Sequence, residues 1–254
     1  MKVCLYGDSY VDDAPTSSNT VSWTSQLAND YGNIHNFGKC GSGPEYSLSQ
    51  LRKHGGDLII FVTGNPERLP FDDLPHPGLQ VDISNLYYRK WPLSDAKPIL
   101  SNYIRKHASS IKYMYRSLRE SIIHRTEEII AYLSYYSLLH KSYILCIPTT
   151  NPFRESSHNR IIPPEIRRRL SHKYFSLYPY NLASISLNEY TKEHKDTIKQ
   201  SIGYVDFRQN HLSQCNHDIL YANIQCILEH NPTQEHEKHF LQKHHSGDTY
   251  IYDE

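Results

Sequence analysis

Five residues, spread from one end of the chain to the other, could together cleave an ester. Ser9 stands in Gly7-Asp8-Ser9, directly behind the apolar run Lys2–Tyr6. A serine that follows a buried strand presents its hydroxyl at the sheet edge, where it can act as a nucleophile. His211, in Asn210-His211-Leu212-Ser213, can accept the serine proton and return it to the leaving group. Attack on a carbonyl creates an oxyanion, which needs hydrogen-bond donors aimed at it. The candidates are the N–H of Ser9, the N–H of Gly41 in Asn36-Phe37-Gly38-Lys39-Cys40-Gly41-Ser42, and the side-chain amide of Asn65 in Gly64-Asn65-Pro66-Glu67. The acid nearest to His211 is Asp206, five residues before it, which could orient the imidazole if the loop bends. Otherwise a backbone carbonyl serves and the pair is a Ser–His dyad.

Plainer readings stand beside these. Gly-Asp-Ser is a common turn tripeptide, Gly41 is equally a turn glycine, and Asn65 before Pro66 is equally a turn initiator. Asp8 braces the first loop. His217 competes with His211 from the start of the last helix. In the tail, His236-x-x-His239 places two rings on one helical face, and His244 and His245 follow. Without a His-Glu-x-x-His pattern no metal is assigned. The basic run Arg167-Arg168-Arg169 reads as a solvated face rather than a phosphate site. Tyr87, Tyr88 and Trp91 either line a sugar-binding groove or pack their own segment.

The elements that must position these residues follow from apolar patterning. Lys2–Tyr6 and Leu58–Thr63 are short continuous apolar runs, as expected of strands covered on both faces. Asn33–Phe37, Tyr143–Ile147 and Ile202–Val205 read as further strands. Val21–Tyr31 sets Trp23, Leu27 and Tyr31 on one helix face. Glu45–Lys53 and Leu182–Gln200 read as helices. The residues Ile104, Ala108, Ile111, Tyr115, Leu118, Ile122, Ile129, Leu133 and Tyr136 give one long helix or two in succession. Ile219, Leu220, Asn223, Ile224, Ile227 and Leu228 mark a last helix. Residues 66–100, with six prolines, read as an irregular excursion, and 149–181 as loop. Strands alternating with helices predict an α/β fold with a parallel sheet, whose sites form at the carboxyl ends of the strands. Gly7-Asp8-Ser9, Gly38–Gly43 and Gly64-Asn65 are three such ends.

Composition narrows the function classes. The chain has 254 residues with 27 basic and 27 acidic side chains, so no electrostatic argument favours nucleic acid. No window of about 18 apolar residues exists, so no membrane span is expected. The apolar start is too short for a signal-peptide core. Cys4, Cys40, Cys146, Cys215 and Cys226 form no CxxC pair, as suits reduced thiols in a cytoplasm. Incorporation into a virion and release by lysis are the other routes. Neither G-x-G-x-x-G nor a P-loop is present, which argues against a nucleotide-binding protein.

In order and placement, Gly7-Asp8-Ser9, Gly41, Gly64-Asn65 and His211 resemble the four blocks of the SGNH hydrolases, the GDSL-type lipase/esterase superfamily. Ser22-Trp23 with Leu27, and Asn36-x-Gly38-x-x-Gly41, share that texture. The resemblance covers roughly 1–66, 142–150 and 200–230. It implies a three-layer α/β/α sandwich with a central parallel sheet, flavodoxin-like in order. It also implies a Ser9 nucleophile, a His211 base, an oxyanion hole of Ser9, Gly41 and Asn65, and no cofactor. Two departures stand out. The third block lacks the usual spacer and second acid, and Arg208 occupies the place of the Asp three before the histidine. The domain is expected to span 1–231, with a helical insertion at about 67–140 that covers the sheet edge, and a polar, His-rich tail at 232–254. The expected partner is a small-molecule or carbohydrate ester. The alternative is a weak or inactive member of the fold that serves a larger, viral assembly through its insertion.

Overall fold

The computed structural model describes residues 1–12, 21–64, 66, 68–69, 81–82, 124–149, 164–182, 212 and 214–229. Five strands form one parallel sheet: β1 (Val3–Tyr6), β2 (Ile34–Asn36), β3 (Leu58–Val62), β6 (Tyr143–Ile147) and β7 (Phe175–Leu177). Their spatial order is β2-β1-β3-β6-β7, with Val3 opposite both Ile34 and Leu58, and Leu58 opposite Tyr143. The chain builds outward from β1 to β2, then crosses back to β3 on the other side. That reversal between β1 and β3 is the topological switch point of a doubly wound sheet, where a crevice forms at the carboxyl ends.

The strands are apolar throughout because both faces are covered. One face carries Leu5, Ile60, Val62, Leu145 and Ile147. It packs against α1 (Trp23–Tyr31) and α5 (Gln214–Glu229) through Trp23, Leu27, Leu220 and Ile224. The opposite face carries Cys4, Tyr6, Ile59, Phe61, Ile144 and Cys146. It lies under α2 (Pro44–His54), α3 (helical over 124–140) and α4 (Pro164–Leu170), which contribute Leu51, Ile129, Ile130 and Leu133, with Ile166 at the margin. The result is a three-layer α/β/α sandwich. Alternate residues of each strand serve opposite layers, as the pleat requires.

The helices start and stop where the sequence punctuates them. The Ser22 hydroxyl caps α1 by accepting from the Ser25 N–H at 3.0 Å. Gly43 and Pro44 open α2, with Pro44 in the first turn, where its missing N–H costs nothing.

Several expectations are corrected. The 149–181 stretch is not simply loop: it holds α4 and the sheet's fifth strand, β7. Pro164-Glu165 with Ile166 and Leu170 is a short helix start that the neighbouring arginines obscure. Arg167 does not belong to a solvated face. It is 4% exposed, whereas Arg168 and Arg169 are exposed. Within the expected irregular excursion, β4 (Arg68–Leu69) pairs antiparallel with β5 (Val81–Asp82). The long helix runs past Tyr136 to residue 140, and its course before 124 lies outside the described residues. So do the expected strand Ile202–Val205, nearly all of the expected helix Leu182–Gln200, and the His-rich tail.

Candidate active site

Ser9 lies in a turn immediately after β1, on the β1 side of the switch point. The turn is closed by its own backbone. The Asp8 carbonyl accepts from the N–H groups of Val11 and Asp12, both at 3.0 Å. The Asp8 side chain braces it as expected: Oδ1 accepts from the Tyr10 N–H at 3.2 Å, and the residue is buried. Ser9 itself is 5% exposed. From behind, the Trp23 indole N–H donates to the Tyr10 carbonyl at 2.9 Å, fixing the turn to the first turn of α1.

The loop after β2 is stapled to this turn at several points. The Gly7 carbonyl accepts from the Lys39 N–H at 3.1 Å. The Asn36 amide bridges the two loops. Its Nδ2 donates to the Val11 carbonyl at 2.8 Å and its Oδ1 accepts from the Gly38 N–H at 2.8 Å. The Asp12 carboxylate accepts from the Cys40 N–H at 2.6 Å. Two glycines make such proximity feasible. A Cβ on Gly38 would stand 2.6 Å from the Val11 carbonyl carbon, and one on Gly7 would stand 2.4 Å from Val11 Cγ2. Gly41 has φ +79°, a left-handed conformation that suits glycine. Gly41 is thus a turn glycine, in the loop stapled to Gly7, Val11 and Asp12.

The loop after β3 approaches from the other side. The Thr63 N–H donates to the Ile147 carbonyl at 3.1 Å, and Thr63 Oγ1 accepts from the Thr149 N–H at 2.9 Å. Next to it, Gly64 lies against Gly43 and Pro44, where α2 begins. The α2 N-cap, Gly43, contributes no side-chain hydrogen bond, and the positive end of this helix, with Glu45 in its first turn, points toward the loops after β2 and β3. Near the same loop, burial raises the Tyr46 phenol pKa, and the Asp12 carboxylate raises it further.

Ser9 and Gly41 are therefore brought into one assembly of loops. Asn65, Asp206 and His211 lie outside the described residues. Leu212, the residue after His211, is buried in the same apolar cluster as Tyr10, Val11 and Trp23.

His217 has a structural task. Its Nδ1 accepts from the Trp23 backbone N–H at 3.3 Å, so a neutral ring carries its proton on Nε2 and has no nitrogen left to accept one from a serine. A second serine–histidine pair, not anticipated from the sequence, fails as a nucleophile–base pair for the same reason. His172 Nε2 lies 3.1 Å from Ser134 Oγ and 3.2 Å from the Ser134 carbonyl, while its Nδ1 accepts from the Tyr174 N–H at 3.2 Å. The ring therefore donates to Ser134 and pins α3 to the connection between α4 and β7.

Other positioning residues were also invisible in the pattern: Asp12, Trp23 as a donor to Tyr10, and the ion pair of Arg125 with Glu45. Asn36 and Trp23 had at least appeared among the family-like flanking residues. Among the described residues, no group of three or more His, Cys, Asp or Glu converges as metal ligands would, and no helix is long and apolar enough to cross a membrane.

No protein-family model matches the chain, and no curated protein matches it. Two solved structures are similar to it. One is a crystal structure of a protein from Lactobacillus plantarum, 13% identical, covering 90% of this chain and 96% of that one, with a TM-score of 0.32. The other, from Desulfitobacterium hafniense, is provisionally described as a lipolytic protein of the G-D-S-L family. It is 15% identical and covers 57% of this chain and 76% of that one, with a TM-score of 0.23. At these scores neither neighbour bears on mechanism or substrate.

Proposed function

We propose that this protein is a serine ester hydrolase of the SGNH type that cleaves a small acyl ester, with Ser9 as its nucleophile. The observation that carries this reading is the setting of Ser9: a buried, multiply braced turn at the switch point of a parallel sheet, stapled to the loop that contains Gly41. A turn held this firmly suits a nucleophile whose attack geometry must be fixed in advance.

In the proposed reaction Ser9 Oγ attacks the ester carbonyl while His211 takes its proton. The oxyanion is held by the N–H groups of Ser9 and Gly41 and the amide of Asn65. His211 then protonates the leaving alcohol, and a water activated by the same imidazole releases the acyl group. Asp8 braces the Ser9 turn, its Oδ1 accepting from the Tyr10 N–H. Asp206 orients the imidazole, and Arg208 stands where the family has its Asp. Loss of an orienting acid costs up to about 10⁴ in rate in the serine-protease template. Turnover is therefore expected to be slow if Asp206 does not reach the ring. A carbohydrate ester would suit Tyr87, Tyr88 and Trp91 of the insertion, since aromatic faces stack on sugar rings.

The test is fluorophosphonate labelling and p-nitrophenyl acetate hydrolysis by the full chain, beside Ser9→Ala, His211→Ala and Asp206→Ala. Labelling and turnover lost in Ser9→Ala and His211→Ala, and reduced in Asp206→Ala, would support the reading. Turnover that survives Ser9→Ala, or a wild type that neither labels nor turns over, would refute it and leave a binding role on the same fold.

A further inference from the structure

The outer face of α3 is apolar where a helix surface should meet water. His124, Glu128, Ala131, Tyr135 and Leu138 are exposed and stand four, three, four and three residues apart, so they form one stripe along the helix. Tyr135 is 64% exposed and Leu138 51%, and Leu139 beside them is 63% exposed. The opposite stripe, with Ile129, Ile130 and Leu133, already packs on the sheet, so the core does not account for the outer one. A single exposed leucine needs no explanation, but a tyrosine and two leucines side by side do.

The stripe is held from both flanks. On one, the Arg52 guanidinium of α2 lies 5.3 Å from the centre of the Tyr132 ring, and its Nε donates to the Tyr132 hydroxyl at 3.3 Å. On the other, His172 Nε2 holds Ser134 Oγ at 3.1 Å. A face fixed in advance loses little freedom on binding. Its charges are sorted by end. Glu128 stands in the first half of the helix. Around it, Glu127 is taken by His124 at 3.0 Å, and Arg125, whose charge also reaches Glu128, turns aside to Glu45. The other end carries exposed Lys141 and His140, whose ring lies 4.1 Å from that of Tyr136.

We propose that this face joins two copies of the chain, α3 against α3, antiparallel about a two-fold axis. A parallel pair would set Glu128 on Glu128 and Lys141 on Lys141. The antiparallel pair sets each Glu128 against Lys141 of the second copy. The small Ala131 then leaves room for Leu138, and the two Tyr135 rings meet beside the axis. A two-fold interface uses each contact twice, and acid against base at both ends fixes the register. The apolar centre is small beside the about 800 Å² per partner of a standard complex, so the dimer is weak and reversible. Arg125 stands at Pro66, behind β3, and residue 140 leads toward the start of β6. The apolar part of the stripe therefore lies toward the amino end of the sheet, and pairing there leaves the Ser9 turn uncovered.

The test is sedimentation velocity of the full chain from about 1 μM to about 1 mM, the range in which small interfaces form. Wild type should pass from monomer toward dimer across the series. Leu138→Asp should raise the dimer Kd at least about tenfold with little change in thermal midpoint. Glu128→Lys and Lys141→Glu should each weaken the dimer when alone. An equimolar mixture of those two variants should dimerise as well as wild type, because every facing pair is again acid against base. Recovery on mixing cannot come from a folding defect. A wild type that stays monomeric throughout, Leu138→Asp that dimerises like wild type, or no recovery on mixing would overturn the proposal. So would a monomeric wild type that co-sediments with phosphatidylcholine–phosphatidylserine vesicles through Leu138, which would give the face to a lipid surface.

Discussion

The two ends of the sheet are held by different means. At the amino end, long or charged side chains reach across an exposed surface. The Lys2 ammonium donates to the His54 carbonyl at 2.7 Å, and the Asp57 carboxylate accepts from the Lys2 N–H at 2.6 Å. At the carboxyl end, short side chains and backbone groups meet at glycines: Asp8 with Tyr10, Asn36 with Val11 and Gly38, and Gly38 against Val11. Water competes freely for the first kind of tie and less for the second, which is buried or half-buried. Either kind keeps strands in register. Only the second brings two loop backbones together, with Gly7 and Gly38 at the points of closest approach.

That contrast can be broken most forcefully at Gly38. Gly38→Val should force the two loops apart and cost roughly 3 kcal/mol, the upper range for overpacking. Ser9-dependent turnover should go with it. By comparison, Gly56→Ala at the amino end meets Cys4 Sγ and Ile59 Cγ1 at 3.1 Å, which asks a shift of a few tenths of an ångström, and should lower the thermal midpoint much less than Gly38→Val. Next in size is Asn36→Ala. It strands the Val11 carbonyl and the Gly38 N–H, and should cost about 2 kcal/mol by denaturant titration.

A third, smaller effect appears with pH. Tyr178 follows β7 at the carboxyl end, and its hydroxyl accepts from Asn223 Nδ2 on α5 at 3.1 Å. Burial raises its pKa well above the ordinary 10.0. The folded protein therefore holds this proton more tightly than the unfolded chain does. The resulting stability is complete below the unfolded value and is lost as pH climbs past it, by at most about 1.4 kcal/mol per pH unit for one proton. Tyr178→Phe should show a shallower alkaline decline in thermal midpoint than wild type. Tyr143, half-buried with its hydroxyl covered, keeps part of the slope. Least of all, Lys2→Ala at the amino end should cost about 0.5 kcal/mol, and less in high salt. An effect there as large as that of Asn36→Ala would erase the distinction between the two ends.

What the sequence disclosed follows the same physics. β1, β3 and β6 are legible because strands covered on both faces read as unbroken apolar runs. The glycine-marked loops behind β1 and β2 stand out because close approach of two backbones permits little else. β7 escaped notice because it is three residues long and carries Ser176 among its apolar neighbours. The equally short β2 is legible through the glycine-rich loop that follows it, and no such loop follows β7. Arg167 misled because a run of arginines suggests solvent, and which member of a run turns inward depends on the helix beneath it. Arg125 and Glu45 left no trace in the pattern, since ion pairs between distant segments have no spacing to read.

Trp23 has an optical consequence. The chain has two tryptophans, Trp23 and Trp91. Trp23 is fully buried, and its indole is bonded to the carbonyl of the residue that follows Ser9. With Trp91 replaced by Phe, the emission of the protein would come from one fluorophore attached to the Ser9 turn. Any shift of that turn would change the hydrogen bond to the indole and hence the colour of the emitted light. The protein thus carries a label-free reporter of its own candidate nucleophile.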